Sequence, residues 1–145
     1  MKREYPETPL VGVGAIIIED EQVVLVKRGH APLEGNWSIP GGLLEVGETL
    51  RAAVTREAQE ETGLEVEAGE LLGVFERVVL GEQERVQYHY VLIDFLCRKL
   101  AGELSAADDA TEAGWFAAAQ LADLKLAADT EAVIRKGFEK AARWR

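Results

Sequence analysis

Residues 41–64 read GGLLEVGETLRAAVTREAQEETGL. The stretch opens on Gly41 and Gly42, which let the backbone turn tightly, passes into a helical period and ends in a dense set of carboxylates. At about 100° per residue, the apolar stripe of the helix falls on Leu50, Ala53, Val54 and Ala58. Glu57 and Glu61 continue that stripe. A solvated charged face would stand opposite the apolar residues, so these two glutamates turn toward the body of the protein, one turn apart. Like charges at i and i+4 weaken a helix by roughly a few tenths of a kcal/mol, and partial burial costs far more unless something neutralises them. A hard divalent cation would do so. Thr49 is a good N-cap and Gly63 a good C′ stop, which predicts a helix from 50 to about 62.

On the N-terminal side, 11–19 is β-rich and nearly continuously apolar, Asp20 and Glu21 make a turn, and 23–27 forms a second strand. The pair reads as a hairpin. Residues 28–40 (RGHAPLEGNWSIP) have no helical period and read as a loop, with a short strand at 37–39. On the C-terminal side, 64–80 is β-favouring with a break at Gly69 or Gly73, 81–84 makes a turn, and 86–98 is another strand. These two should pair as a long antiparallel hairpin. The middle of the second is apolar from 91 to 96, interrupted by Asp94. The acidic, alanine-rich stretch 102–114 reads as a loop, with Trp115 and Phe116 at one end of a short strand. A short helix at 117–122 and a longer one at 128–143 follow. Strands on both sides of the charged helix, with another helix at the end, make this an α/β (α+β) chain: a mixed sheet between helices, in one domain spanning 1–145.

Charge narrows the partners. A formal net charge of −10 argues against nucleic acid, whose binding relies on basic surface. It leaves room for a phosphorylated small molecule, because metal ions mediate between acidic protein and anionic ligand. No run of the sequence approaches the ~20 apolar residues of a membrane span, and the first ten residues hold no apolar signal core. Cytoplasmic location is the default expectation. The one cysteine, Cys97, ends an apolar run and reads as a core residue.

The spacing within the opening stretch is specific. Gly42 is followed after five residues by Glu48, and after seven more by Arg56-Glu57-Ala58-Gln59-Glu60-Glu61-Thr62-Gly63-Leu64. This resembles the Nudix box, G-x5-E-x7-R-E-U-x-E-E-x-G-U with U bulky and apolar, at every fixed position; Ala58 is small for its U site. The Pro40-Gly41-Gly42 entry, the two strands before it and the later Trp115-Phe116 are also similar to the family. The resemblance implies a Nudix-type α/β/α sandwich and hydrolysis of a nucleoside diphosphate linked to a further group X, with Mg²⁺ or Mn²⁺. It implies Glu57 and Glu61 as principal metal ligands, Glu60 as an additional one and the Gly41 carbonyl as a further oxygen. Arg56 would pair with Glu48 and hold the loop and helix in shape, while Gly42 and Gly63 serve the backbone. Glu57 could act as the base that activates water; Glu112, on the loop ahead of Trp115, is favoured over Asp108 and Asp109 as a late ligand or base.

Other residues carry weaker signals. Arg28 could hold substrate phosphate, and an exposed structural arginine is as good a reading. His30 and His89 have no ligand partner at helical spacing, and Trp37 and Tyr88 read as core before they read as base-stacking platforms. The entry segment is similar to small ADP-ribose pyrophosphatases and to nucleoside-triphosphate pyrophosphohydrolases, and ADP-ribose or a nucleotide sugar ranks ahead of an (oxidised) nucleoside triphosphate. The proline or tyrosine that marks some family members about sixteen residues beyond the box is absent: Val79-Leu80 stands there. A non-catalytic ligand-sensing module is the reading from another class; the presence of all four box glutamates speaks against it. Homodimers are common among such relatives, and the sequence itself is silent on that point.

Overall fold

The computed structural model describes residues 2–31, 33–107 and 110–144. Its centre is β1 (Leu10–Glu19), which belongs to two groups of strands. Over residues 10–17 it runs parallel to β6 (Val86–Ala101), which pairs antiparallel with β5 (Glu65–Leu80). At its far end it turns into β2 (Gln22–Arg28), and the hairpin is closed by Ile18 opposite Val23. Two short strands complete the entry: β3 (Trp37–Ser38) lies on β2, and β4 (Gly41–Leu43) lies antiparallel on β1 with Val13 opposite Gly42.

Helix α1 (Leu50–Thr62) has the predicted ends. Thr49 accepts a hydrogen bond from the Ala52 amide at 3.2 Å, and Gly63 takes a left-handed φ of 74° that a side chain would disfavour. Alternation along β1 sends Val13, Ala15 and Ile17 toward α1, where they pack with Ala53, Val54 and Ala58. Ile16 and Ile18 face the other way, toward Val133 and Ile134 of α2 (Ala128–Ala141). The result is the expected mixed sheet between helices. Cys97 lies in the α1-side core, where burial pushes its thiol up to about 12.

Two expectations are corrected. Residues 102–114 are not loop throughout, because β7 (Ala110–Ala117) pairs antiparallel with β2. Its start, ATEAG, has little intrinsic β preference; ladder bonds to β2 override that. Gly41 and Gly42 do not form a tight turn either, since both lie in β4 and neither has positive φ. The expected break in β5 is visible as register shifts between Ala68 and Leu71 and between Leu71 and Gly73.

Candidate active site

The apolar stripe of α1 carries Glu57 and Glu61 inward, where they are 9% and 7% exposed. The reason for glycine at the entry is close approach. A Cβ on Gly42 would collide with the Glu57 carboxylate, and one on Gly41 with the Val13 carbonyl oxygen. The Gly41 amide donates to Glu61 Oε1 at 2.7 Å. Val13 faces Gly42 and the Ala15 amide donates to the Pro40 carbonyl, so Gly41 sits between ladder positions and its carbonyl, like its amide, points off β1.

Arg56 ties the motif together. Its Nε and one terminal nitrogen grip Glu48 at 2.6 and 2.8 Å, a fork on a carboxylate, and that nitrogen also donates to the Leu43 carbonyl at 3.1 Å. The other terminal nitrogen donates to Glu57 at 2.8 Å and to Glu60 at 3.2 Å. The hydrogen bond from Arg56 holds the Glu48 carboxyl down at about 2, and Glu48 in turn raises the Arg56 guanidinium above its usual range. The geometry thus contains the Arg56–Glu48 pair implied by the resemblance and adds contacts to Glu57 and Glu60.

These groups face a cavity of ≈370 Å³. Glu57, Glu60 and Glu61 border it from α1, together with Gly41 and Gly42 of β4. From the β2, β5 and β6 side it is bordered by Arg28, Arg77, Tyr90 and Asp94, and Arg3 joins them from the N-terminal segment. A protein of net charge −10 therefore gathers several of its guanidinium groups around one hollow. Arg28 is brought to the cavity, and burial lowers its pKa.

The donor set bears on a divalent cation. Glu57 and Glu61 are buried like charges one helical turn apart, and such a pair is held only with compensating charge. Their oxygens, with the Gly41 carbonyl off the ladder, are hard donors suited to Mg²⁺ or Mn²⁺. Among the described residues no group of three acidic, histidine or cysteine side chains is arranged to hold a metal, and Arg56 supplies positive charge to Glu57 and Glu60 instead. The chemistry of the donor set fits the ion: carboxylates on one helix face beside a carbonyl that the ladder leaves free.

Glu112 is not brought to the box glutamates. It stands on β7 opposite Lys27 and forms an ion pair with it at 3.3 Å, largely exposed and outside the cavity wall. The structure thus pairs the expected late ligand or base with Lys27 and does not bring it together with the box glutamates. Asp108 and Asp109 lie outside the described residues. His30 borders the cavity, whereas His89 faces Val78 across the β5–β6 pair. Trp37 packs edge-on against Phe116 at 5.1 Å, and Tyr88 is buried beside Tyr90, so neither offers a platform to the cavity.

Sequence reading missed Asp94 and Tyr90. Burial pushes the Asp94 carboxyl up to about 7, the negative charge of Asp129 adds to the shift, and Arg77 opposes it. The visible signal was a lone carboxylate interrupting an apolar strand, a choice that costs stability without a use.

Glutamates on the inner face of a capped helix, a glycine entry strand against them and an arginine clamped between carboxylates define a class. The model of the NUDIX domain matches residues 8–137, and the chain belongs to that family. It is a Nudix pyrophosphohydrolase. It is similar to the ADP-ribose pyrophosphatase of Methanocaldococcus jannaschii, with 40% identity over 127 residues, 88% of this chain and 72% of that protein. Among solved structures, a MutT NUDIX hydrolase from Burkholderia pseudomallei superposes with a TM-score of 0.78 at 32% identity, covering 90% of this chain and 98% of that one. An ADP-ribose pyrophosphatase from Streptococcus suis superposes at 0.68 with 27% identity, covering 94% and 93%.

Proposed function

We propose that the protein hydrolyses the diphosphate linkage of a nucleoside diphosphate joined to a second group, with ADP-ribose or a nucleotide sugar as substrate and Mg²⁺ or Mn²⁺ as the cation. The observation that carries this reading is the single cavity wall that joins inward carboxylates on α1 to Arg28 and Arg77 on the strands. Acidic and basic groups around one hollow suit a ligand whose phosphates are bridged to carboxylates by a cation and gripped elsewhere by guanidinium groups.

Water adds across the P–O–P bridge, so one phosphorus gains the hydroxyl oxygen and the other leaves with the bridging oxygen. When bound, the cation offsets charge on both phosphates and makes water easier to deprotonate. Glu57, Glu61 and the Gly41 carbonyl would hold it, with Glu60 at the rim. Arg56 keeps Glu57 and Glu60 in place, and the proton from water passes to one of those two carboxylates. Arg28 holds a phosphate oxygen. The description of the Methanocaldococcus jannaschii relative supports ADP-ribose. A second reading, cleavage of (oxidised) nucleoside triphosphates, draws support from the similarity to a putative 8-oxo-dGTP diphosphatase of Bacillus subtilis, 36% identical over 76 residues, 50% of this chain and 49% of that protein.

The test is a panel of ADP-ribose, nucleotide sugars and nucleoside triphosphates with Mg²⁺, read by release of nucleoside monophosphate. ADP-ribose is expected to yield AMP and ribose 5-phosphate fastest. No turnover of any diphosphate under saturating Mg²⁺ would sink the enzyme reading for this substrate class. In the same assay Glu112→Gln should stay within about threefold of the parent; a fall of about 10²-fold or more would return Glu112 to the role of base.

A further inference from the structure

On its face toward α2, β1 presents Gly12, Gly14, Ile16 and Ile18 at alternate positions. The two isoleucines are core, whereas the two glycines border the cavity. Parallel β6 lies beside them with Leu92 opposite Gly12 and Asp94 opposite Gly14. A Cβ on Gly14 would collide with Asp94 Oδ1 and stand 2.5 Å from Ile39 Cδ1, and one on Gly12 would lie 3.0 Å from Leu92 Cδ2. This floor is therefore backbone, with the Asp94 carboxyl and Tyr90 standing beside it.

Both polar groups lack a partner. Asp94 is 7% exposed and its side chain makes no hydrogen bond or ion pair among the described residues. Tyr90 is 6% exposed, and its buried hydroxyl has no hydrogen-bond partner there either. The nearest candidate, Arg77, is opposite Tyr90 across the strands but donates to Asp129 at 2.7 Å, and Asp129 is fixed in turn by the Thr130 amide at 2.8 Å. Buried polar groups are nearly always satisfied, so an orphan hydroxyl beside an unpartnered carboxylate on one cavity wall points to something that enters it.

Position limits what that is. Asp94, Gly14 and Gly41 form one rung across β6, β1 and β4. Two strand spacings put Asp94 about 10 Å from Gly41, beside which the diphosphate must be cleaved. The group that reaches Asp94 is thus attached directly to the diphosphate. Beside the carboxyl the wall offers Gly14, Leu92 and Thr130, and Tyr90 is its one aromatic side chain among the described residues; with no second ring to sandwich a base, this suits a hydroxylated ring better than a nucleobase. Adjacent hydroxyls can donate to the two oxygens of one carboxylate.

We propose that Asp94 and Tyr90 are specificity-determining residues that hydrogen-bond the hydroxyls of the second sugar, the one joined to the distal phosphate, and so select sugar-bearing nucleoside diphosphates over nucleoside triphosphates. This rests on the pyrophosphohydrolase reading above and narrows its substrate. The experiment compares the parent, Asp94→Asn and Tyr90→Phe on ADP-ribose and on ADP esterified with butanol, which keeps the diphosphate and adenosine but lacks the second sugar. Both substitutions keep the shape of the side chain. Each is expected to lower kcat/KM about 10- to 100-fold on ADP-ribose and less than about threefold on butyl-ADP. Calorimetric binding of ADP-ribose without metal should weaken in parallel, and Tyr90→Phe should raise Tm, because it removes an orphan hydroxyl. Equal losses on both compounds would place the contacts on the adenosine half or the diphosphate and overturn the assignment, as would no loss on either. If the parent cleaves neither compound, the pyrophosphohydrolase reading fails by itself. The calorimetry still decides the subsite, since a parent that binds ADP-ribose no better than butyl-ADP overturns it.

Discussion

Glu61→Gln separates the electrostatic role of the α1 glutamates from their role in the fold. Glu57 and Glu61 are 9% and 7% exposed and one turn apart, so their carboxylates repel across about 6 Å. At an effective dielectric of about 20 that repulsion is roughly 3 kcal/mol, an upper figure because Arg56 lies 2.8 Å from Glu57 and offsets much of it. Glutamine keeps the shape and its amide oxygen can still accept from the Gly41 amide, so the substitution removes the charge while keeping that bond. Without metal the variant is expected to be more stable than the parent by about 1 kcal/mol. With Mg²⁺ the order reverses. At a hundred times its Kd the ion stabilises the parent by about 2.7 kcal/mol, or roughly 8 °C in Tm for a chain of this size. In the variant the ion-induced shift should shrink below about 2 °C and turnover should fall by orders of magnitude. Thermal melts with and without Mg²⁺, beside the activity assay, read both effects. A variant that keeps the parent's Mg²⁺-induced shift would show that the metal does not sit at Glu61.

Arg56→Lys retains the charge but cannot reproduce the fork on Glu48 while also reaching Leu43 and Glu57. Urea unfolding should report a loss of about 3 kcal/mol, and a loss under about 1 kcal/mol would mean that the clamp is dispensable. The pH profile of stability should carry two opposite signatures. Asp94 has its folded pKa raised to about 7 from 3.8, so the folded state holds a proton that the unfolded state releases first. Its contribution is full below the unfolded value and is lost as pH climbs through about 7, by about 4 kcal/mol in total; Asp94→Asn should flatten that slope in melts between pH 4 and 8. Glu48 has its folded pKa lowered to about 2 from 4.5, so its contribution is present above the unfolded value and is lost as pH falls toward 2. An unchanged slope in Asp94→Asn would show that another group titrates there.

Helix α1 was legible to the residue because its limits are local: Thr49 caps the helix from three residues away, and Gly63 stops it by its own backbone preference. The inward turn of Glu57 and Glu61 follows from the same 3.6-residue period. β7 was only half legible, because Ala110 to Gly114 become strand through pairing with β2, more than eighty residues earlier in the chain. Glu112 illustrates the consequence. Read as loop, it could swing toward the carboxylates; in the ladder it stands opposite Lys27 and pairs with it. Asp94 was visible in the sequence as a misfit, but its meaning depended on the glycine that β1 places beside it.

What the sequence by itself determined is the bond this protein is built to attack, since the carboxylates, the clamp arginine and the glycines that admit them fall within residues 41–64 and act through helical spacing. The tertiary structure decided which other groups share that hollow. Gly14, Gly41 and Asp94 meet on one rung because a parallel and an antiparallel pairing happen to align them, and Arg77 arrives from the neighbouring strand. Cross-strand register is set by the packing of whole faces of the sheet and by loops of many lengths, so no local pattern of residues announces it.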